Sequence, residues 1–456
     1  MRLTLLFAGA AATAFVHPGL LVSSSDLSRA SRHIAAGDNP WAASWADLIS
    51  ITYSQPNYVS QAVHELDRDT DGQYLWQDAA AAFNLALRWK IEGNATYAAA
   101  SARILTSWAK TLTALIGGDD AYLSAGLQGY ELANAAELLR DFTPFADSDD
   151  FTSVKKMLED IFLASNIFFL DHLDGSEHNV LHFYANWELA QVASVMAIGV
   201  LTENQTTWDF GVNYFKNGSG NGCVNNAVYA IVEEPGTTNG TLLGQGQEAG
   251  RDQGHSAMDV QLLAAIGKQA WTQGVDLYGY NNSRILLGTE YFARYNLGYD
   301  VPFVPYDNGI VSQTVISSAS RGAIRPTWEL LYSHYVQIKG ASAPWTSQYL
   351  KTSLTFFGGA FEGGAGSWGE GSGHYDGLGW GSLLYHMDAE DLAVVLASNG
   401  TASATATVSA VDASVSAGSV STGAAAANNN TSFASLATTV IVRLTTTVCP
   451  CATASL

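Results

Sequence analysis

From Leu75 to Trp89, apolar residues recur at three- and four-residue steps (Leu75, Ala79, Ala82, Phe83, Ala86, Leu87, Trp89), and the device returns at Ile104, Leu105, Trp108, Leu112 and Leu115. That spacing keeps them on one side of a helix, so both segments are expected to be amphipathic helices burying one stripe. Similar runs occupy residues 24–36, 41–51, 121–140, 149–171, 179–200, 254–273, 282–296 and 326–338, punctuated by Gly, Asn, Asp or Pro. Short connections between many helices imply antiparallel pairs, and alanine stripes such as Ala79 to Ala82 let axes approach closely. The expected fold is mostly α, a double layer of helix hairpins closing into a ring or arc. No fixed-period repeat is present. From Ser353 to Leu384 the pattern changes to Gly with aromatics. That stretch is expected to be loop, with room for a short strand, able to close over a groove.

Composition narrows the partners. With 47% hydrophobic and 14% charged residues the chain has material for a well-filled core. Its net charge of −21, from 42 acidic against 21 basic residues, argues against nucleic acid, because phosphate binding needs basic surface. A polyanionic substrate would need a local basic pocket, which makes the few arginines informative.

The two ends read differently from the body. Arg2, the apolar run Leu3 to Ala12 and the small-residue ending Ala12-Thr13-Ala14 have the pattern of a secretory signal peptide over residues 1–14, too short for a membrane span. Glycosylation sequons begin at Asn94, Asn204, Asn217, Asn239, Asn281, Asn399, Asn429 and Asn430, which fits a secreted glycoprotein. Residues 15–395 are expected to form the folded domain. Residues 401–456, dominated by Ala, Ser, Thr and Val, are expected to be a disordered tail. Cys223 in the body and Cys449 and Cys451 in the tail supply neither a disulfide framework nor a metal site. No cofactor and no metal are expected, and nothing fixes the oligomeric state.

Chemistry concentrates in G-Q-G-Q-E-A-G-R-D-Q-G-H, residues 244–255, which packs Gln247, Glu248, Arg251, Asp252 and His255 just ahead of a helical run. A solvated face rarely interleaves such groups with Gly250 and Gly254, although a polar loop capping the next helix would look similar. Asn186-Trp187 places an amide and a large ring inside an otherwise apolar helix, where both could equally be core. Glu290 and Arg294 stand at i, i+4, the usual spacing of a helix-stabilising ion pair. Finally, Pro326 can open a helix, which would put Arg325 at its start and Tyr332 seven residues on along the same face. A guanidinium beside that phenol would favour the phenolate; a core Tyr beside a surface Arg is the plainer alternative.

Taken in order, A-N-W-E-L-A, R-D-Q-G-H with its following helix, G-V-D-L-Y at 274–278, E-Y-F-A-R-Y at 290–295, R-P-T-W-E-L-L-Y at 325–332 and the closing Y-D-G-L-G-W-G-S-L-L-Y resemble the alginate-lyase-like helical-toroid polysaccharide lyases over roughly residues 15–385. The resemblance implies an (α/α) toroid, complete or incomplete, and a secreted enzyme that cuts 4-linked uronic-acid polymers such as alginate or glucuronan by β-elimination. It also implies an asparagine, a histidine, an arginine and a tyrosine in catalysis, by motif position Asn186, His255, Arg325 and Tyr332. A better-known branch has the asparagine and histidine adjacent. Here Trp187 follows Asn186, so the chain looks closer to a branch whose histidine arrives later.

The reaction explains the residue types. The C5 proton of a uronate is weakly acidic until its carboxylate is neutralised, for which Asn186, Arg325 and a protonated Glu248 are suitable donors. A base then removes that proton and an acid protonates the departing O4. In mannuronate or glucuronate both lie on one side of the ring, so Tyr332 can serve as base and acid in turn with His255 assisting. In guluronate they lie anti, and His255 and Tyr332 would act from opposite faces. Trp187, Tyr184, Tyr291 and Tyr295 are candidates for stacking on sugars; Gln247, Arg251 and Arg321 are candidates for contacts with neighbouring sugars and their carboxylates. The rival classes are a helical-toroid glycoside hydrolase with a carboxylate pair drawn from Glu248, Asp252 and Glu329, and a non-catalytic glycan-binding protein.

Overall fold

The computed structural model describes residues 14–397 apart from Asn239, Ser372 and Leu378. The signal-peptide residues before Ala14 and the tail from residue 401 therefore lie outside the described residues. Those described fall into a body ending at His386 and a separate segment from Met387. In the segment, Asp388 and Asp391 each accept the other's backbone N–H at the start of a helical run over 389–397.

The body is built from helices α1 (Ser24–Ala36), α2 (Trp41–Ser50), α3 (Arg68–Glu92), α4 (Ala95–Thr111), α5 (Asp120–Leu138), α6 (Thr143–Ala146), α7 (Asp149–Met157), α8 (Ala164–Leu170), α9 (Ala185–Leu201), α10 (Gln205–Asn217), α11 (Val224–Ala227), α12 (Gln253–Thr272), α13 (Tyr280–Asn296), α14 (Trp328–Tyr332), α15 (Pro344–Phe356) and α16 (Gly381–Tyr385). Between α7 and α8, over Leu158–Leu163, the helix widens by a π turn, and a second π turn over Ser333–Ile338 follows α14. Three two-stranded sheets complete it: β1 (Glu65–Asp67) parallel to β2 (Ala114–Ile116), β3 (Val228–Glu233) antiparallel to β4 (Leu242–Gly246), and β5 (Tyr306–Asp307) antiparallel to β6 (Ser312–Gln313).

Local chemistry sets the helix ends. Ser23 and Asp26 form a reciprocal capping box at the start of α1, which closes on Gly37 at φ 78°. Asp67 caps α3, Gly93 at φ 71° ends it, and Asp252 caps α12 through the N–H of His255.

Helices α3, α5, α9 and α12 pack in succession, α4 lies against α3, α10 against α9 and α13 against α12. The inner four differ from the expected one-stripe pattern. In α3 every residue from Asp78 to Arg88 is buried, and α9 is buried along its length except at Trp187. An inner-layer helix touches neighbours all round, so it needs small or apolar residues on every face, and only the outer layer keeps a polar side. Helices α5 and α9 cross closely, so that a Cβ added at Gly129 would stand 2.2 Å from Ser194 Oγ and one at Gly126 2.8 Å from Ala190 Cβ.

Other expectations shift as well. The run at 179–200 becomes helical only from Ala185; α10, α15 and the sheets were not foreseen; and the glycine-rich stretch holds the short helix α16 and no strand among its described residues. Cys223 is fully buried, its sulfur 3.5 Å from the carbonyl of Lys216.

Candidate active site

Helix α9 begins without a side-chain cap of its own. Its first N–H groups are taken from outside: that of Ala185 by Gln247 Oε1 at 3.0 Å and that of Asn186 by Glu248 Oε1 at 3.0 Å. The turn following β4 thus lays two polar side chains on a helix N-terminus, where a carboxylate is favoured by the unpaired donors and the helix dipole. Glu248 Oε1 also accepts the side-chain amide of Asn186, and its Oε2 lies 2.8 Å from Arg251 Nη1. Gln247 and Glu248 are wholly buried and Asn186 nearly so. The guanidinium of Arg251 lies 3.9 Å from the ring centroid of Tyr184, fixing that phenol at the partly exposed rim.

One turn on, His255 Nδ1 stands 2.5 Å from Asp252 Oδ2, while Asp252 Oδ1 accepts the backbone N–H of His255 at 2.9 Å. Burial works against the charge on Asp252, but the hydrogen bonds from His255 and the nearby Arg251 outweigh it and draw its carboxyl down to about 2. A charged Asp252 holds Nδ1 protonated and leaves Nε2 with its lone pair free, the tautomer a general base requires. The imidazole side chain is 41% exposed, so it can meet a ligand.

Deeper in α12, Asp259 carries the link to Arg325. Burial first, then the adjacent Glu248, push the Asp259 carboxyl well above its ordinary range, while Arg251 and Arg325 pull it down. The Asp259 carboxyl is thereby biased towards its neutral form. Arg325 itself reaches Gln261 Oε1 at 3.2 Å, Gly373 O at 3.1 Å and Asp376 Oδ2 at 3.1 Å. Asn186, Tyr184, Gln247, Glu248, Arg251, Asp252 and His255, with Asp259 and Arg325 beside them, therefore form one group. Asp259 and Asp376 escaped the sequence reading, the first as a lone acid in an apolar run, the second inside the glycine-rich stretch.

Other candidates stand elsewhere. The chain enters α14 only at Trp328, so Arg325 precedes the helix and does not share a face with Tyr332. Tyr332 lines a separate cavity of about 560 Å³ with Glu329, Lys351 and His386, and none of Asn186, Glu248, Arg251, His255 or Arg325 is in its wall. Glu329 is paired there with His386, away from Glu248 and Asp252. Tyr291 and Tyr295 are buried, the first donating to Pro302 O at 2.8 Å and the second lying under the guanidinium of Arg321 at 3.9 Å, so neither offers a free ring face. Arg321 binds the carbonyls of Tyr295 and Tyr299. Trp187 is partly exposed and packs on Phe169 and Phe183. Glu290 and Arg294 do not pair: Arg294 goes to Glu234, whereas Glu290 accepts from Trp345 and Thr346.

Residues 27–300 match the family described as alginate lyase, and the chain belongs to that family of polysaccharide lyases. Among solved structures it is similar to alginate lyase A1-III from Sphingomonas species A1, with TM-score 0.53, 14% identity, and 82% of this chain against 98% of that one covered. It is also similar to a histidine-to-alanine variant of A1-III complexed with tetrasaccharide, with TM-score 0.53, 15% identity, and 81% of this chain and 95% of that one covered. These likenesses fix the fold as the helical toroid of that enzyme. No curated protein is matched by sequence. Among the described residues no helix is long and apolar enough to cross a membrane.

Proposed function

We propose that the protein is a secreted lyase of 4-linked uronic-acid polymers, with mannuronan-type alginate or glucuronan as substrate and β-elimination as the reaction. The single observation that carries this is the Asp252–His255 pair standing next to Arg251, Glu248 and Asn186: a tautomer-fixed imidazole beside the cation and amide that would neutralise a uronate carboxylate.

In this reading the sugar carboxylate sits against Arg251 and the amide of Asn186, and Asp259, its carboxyl pushed well above the ordinary range by burial, is kept from adding negative charge there. Neutralising the carboxylate acidifies C5, and Nε2 of His255 removes its proton as the C4–O4 bond breaks. Tyr184, held at the partly exposed rim by Arg251, is the phenol assigned to return a proton to O4. In mannuronate and glucuronate the C5 proton and O4 share a face, which suits a base and an acid on one wall. His255 takes over the proton-abstracting role that the sequence pattern suggested for Tyr332, because Tyr332 lines another cavity.

The test is to incubate the protein with poly-mannuronate, poly-guluronate and glucuronan separately and follow the near-ultraviolet absorbance of the unsaturated uronate end. Wild type and Tyr332→Phe should give a rise on one polymer, and His255→Ala should lose it by about 10²–10⁴-fold. Loss in Tyr332→Phe with retention in His255→Ala would reverse the assignment, and no rise with wild type on any polymer would sink the uronan reading.

A further inference from the structure

A chain this acidic must gather positive charge locally to hold a polyanion. Beyond Arg251 it does so at Arg68, in the first turn of α3, and at Arg325, ahead of α14. Between them lies Asp376, on the glycine-rich strap spanning residues 357–380. Its Oδ1 is 3.5 Å from Arg68 Nη2 and its Oδ2 3.1 Å from Arg325 Nη1. Rings flank the pair. The Arg325 guanidinium is 5.6 Å from the Trp368 ring, Trp368 stacks on His374 with centroids 4.1 Å apart and planes 8° apart, and Arg68 lies 5.4 Å from Trp76. Trp76, Trp368 and His374 are all partly exposed.

A carboxylate clasped by two guanidinium groups between indole faces is what recognition of a uronate residue requires: paired donors for the acid group and rings for the apolar side of the sugar. Resting on the uronan reading of the neighbouring group, we propose that Arg68 and Arg325 form a uronate-carboxylate subsite, which Asp376 fills in the empty protein and yields to the sugar on binding. The protein then carries its own competitor for the substrate's charge.

The exchange is electrostatically economical. One carboxylate replaces another, so neither arginine is left with an unpaired buried charge at any stage. The nearby Glu131 carboxyl is pushed well above its ordinary range by burial and then by Asp376, so it stays protonated and does not cancel the arginines. Release is also local. The Asp376 backbone is held through its carbonyl by Tyr130 at 3.0 Å and through its N–H by Gly373, so only the side chain has to turn away.

The test is calorimetric binding of a saturated mannuronate tetramer at low salt, in a His255→Ala background, with a neutral mannose tetramer as control. Asp376→Asn should tighten the uronate tetramer about fivefold, roughly the effect of removing one competing ion pair. Arg68→Gln should weaken it by about tenfold, and neither should alter binding of the neutral tetramer. Melting temperatures establish that each variant is folded, and Arg68→Gln decides alone if Asp376→Asn is not. Unchanged or weaker uronate binding in a folded Asp376→Asn, or unchanged binding in Arg68→Gln, overturns the subsite. Wild-type turnover of the polymers is read separately, so failure of the subsite and failure of the lyase reading give different results.

Discussion

Glu248 Oε1 receives both the backbone N–H and the side-chain amide of Asn186, so one buried carboxylate oxygen starts a helix and orients a buried amide at once. Its partner oxygen holds Arg251 at 2.8 Å. Glu248→Gln keeps the shape and removes the charge. It is expected to lower stability by about 2 kcal/mol, the cost of leaving a partly buried guanidinium without its anion. It should also cut kcat/KM for the polymer by loosening Arg251, though less than Asn186→Ala does, because the glutamine amide oxygen still accepts from Asn186. Denaturant melts and the unsaturated-product assay, run on both variants, check this. Equal stability of Glu248→Gln and wild type would show that the carboxylate does not organise the site.

Asp252 has two duties that mutation can separate. Asp252→Asn retains an acceptor for the His255 N–H and so should keep most of the helix cap, whereas Asp252→Ala should cost a further ~1 kcal/mol in stability. Both remove the charge that fixes the imidazole tautomer, so both should lower kcat by a similar large factor with little change in KM. Rates that track stability instead of charge would argue that Asp252 is only a cap.

Burial pushes the Glu188 carboxyl up to about 7 despite the N–H of Gly222 and the hydroxyl of Tyr214, and burial likewise pushes Glu362 up to about 8. Each folded value lies above the ordinary carboxylate value, so between the two the native state binds more protons than the unfolded chain. Stability should therefore fall as pH rises from about 4.5 through 7 to 8, by an amount on the order of 3 kcal/mol for Glu188. Urea melts at pH 5, 7 and 8 test the sign, and Glu188→Gln should flatten the stretch from 5 to 7. Asp26 acts oppositely. Its burial is outweighed by Lys268 and Arg29, so its carboxyl sits below the usual range and its contribution disappears only in strong acid.

Gly129 makes a sharp packing test. Alanine is a better helix former than glycine by up to ~1 kcal/mol. Here, however, its Cβ would stand 2.2 Å from Ser194 Oγ on the facing helix. Overpacking should win, and Gly129→Ala is expected to destabilise by about 1–3 kcal/mol. Gly93→Ala, at a helix end with no atom within 4 Å of the added carbon, would be penalised only by its left-handed backbone.

These cases also show what periodicity can and cannot convey. The run at 24–36 matches α1 because its capping residues and apolar stripe are both local features. Helix α10 went unnoticed because its buried residues, Trp208, Gly211, Tyr214 and Phe215, include a glycine and follow a polar Gln-Thr-Thr start, while Phe210 and Val212 between them blur the stripe. The group at 244–255 was legible because its ionisable residues are neighbours in sequence. The relation of Asp376 to Arg68 was not, since 308 positions separate them and only the closed fold joins them. The pairing of Arg325 with Tyr332 assumed a helix starting at Pro326; Thr327 has non-helical geometry, α14 starts one residue later, and Arg325 is turned towards the strap.

Cys223, buried against a backbone carbonyl, is the cysteine of the described body, and among the described residues there is no second cysteine for it to bridge. A toroid knit by alanine and glycine contacts between inner helices therefore asks nothing of an oxidising compartment. The body should refold from denaturant equally well with and without reductant, and bacterial cytosol should serve for its production even though its leader is read as an export signal.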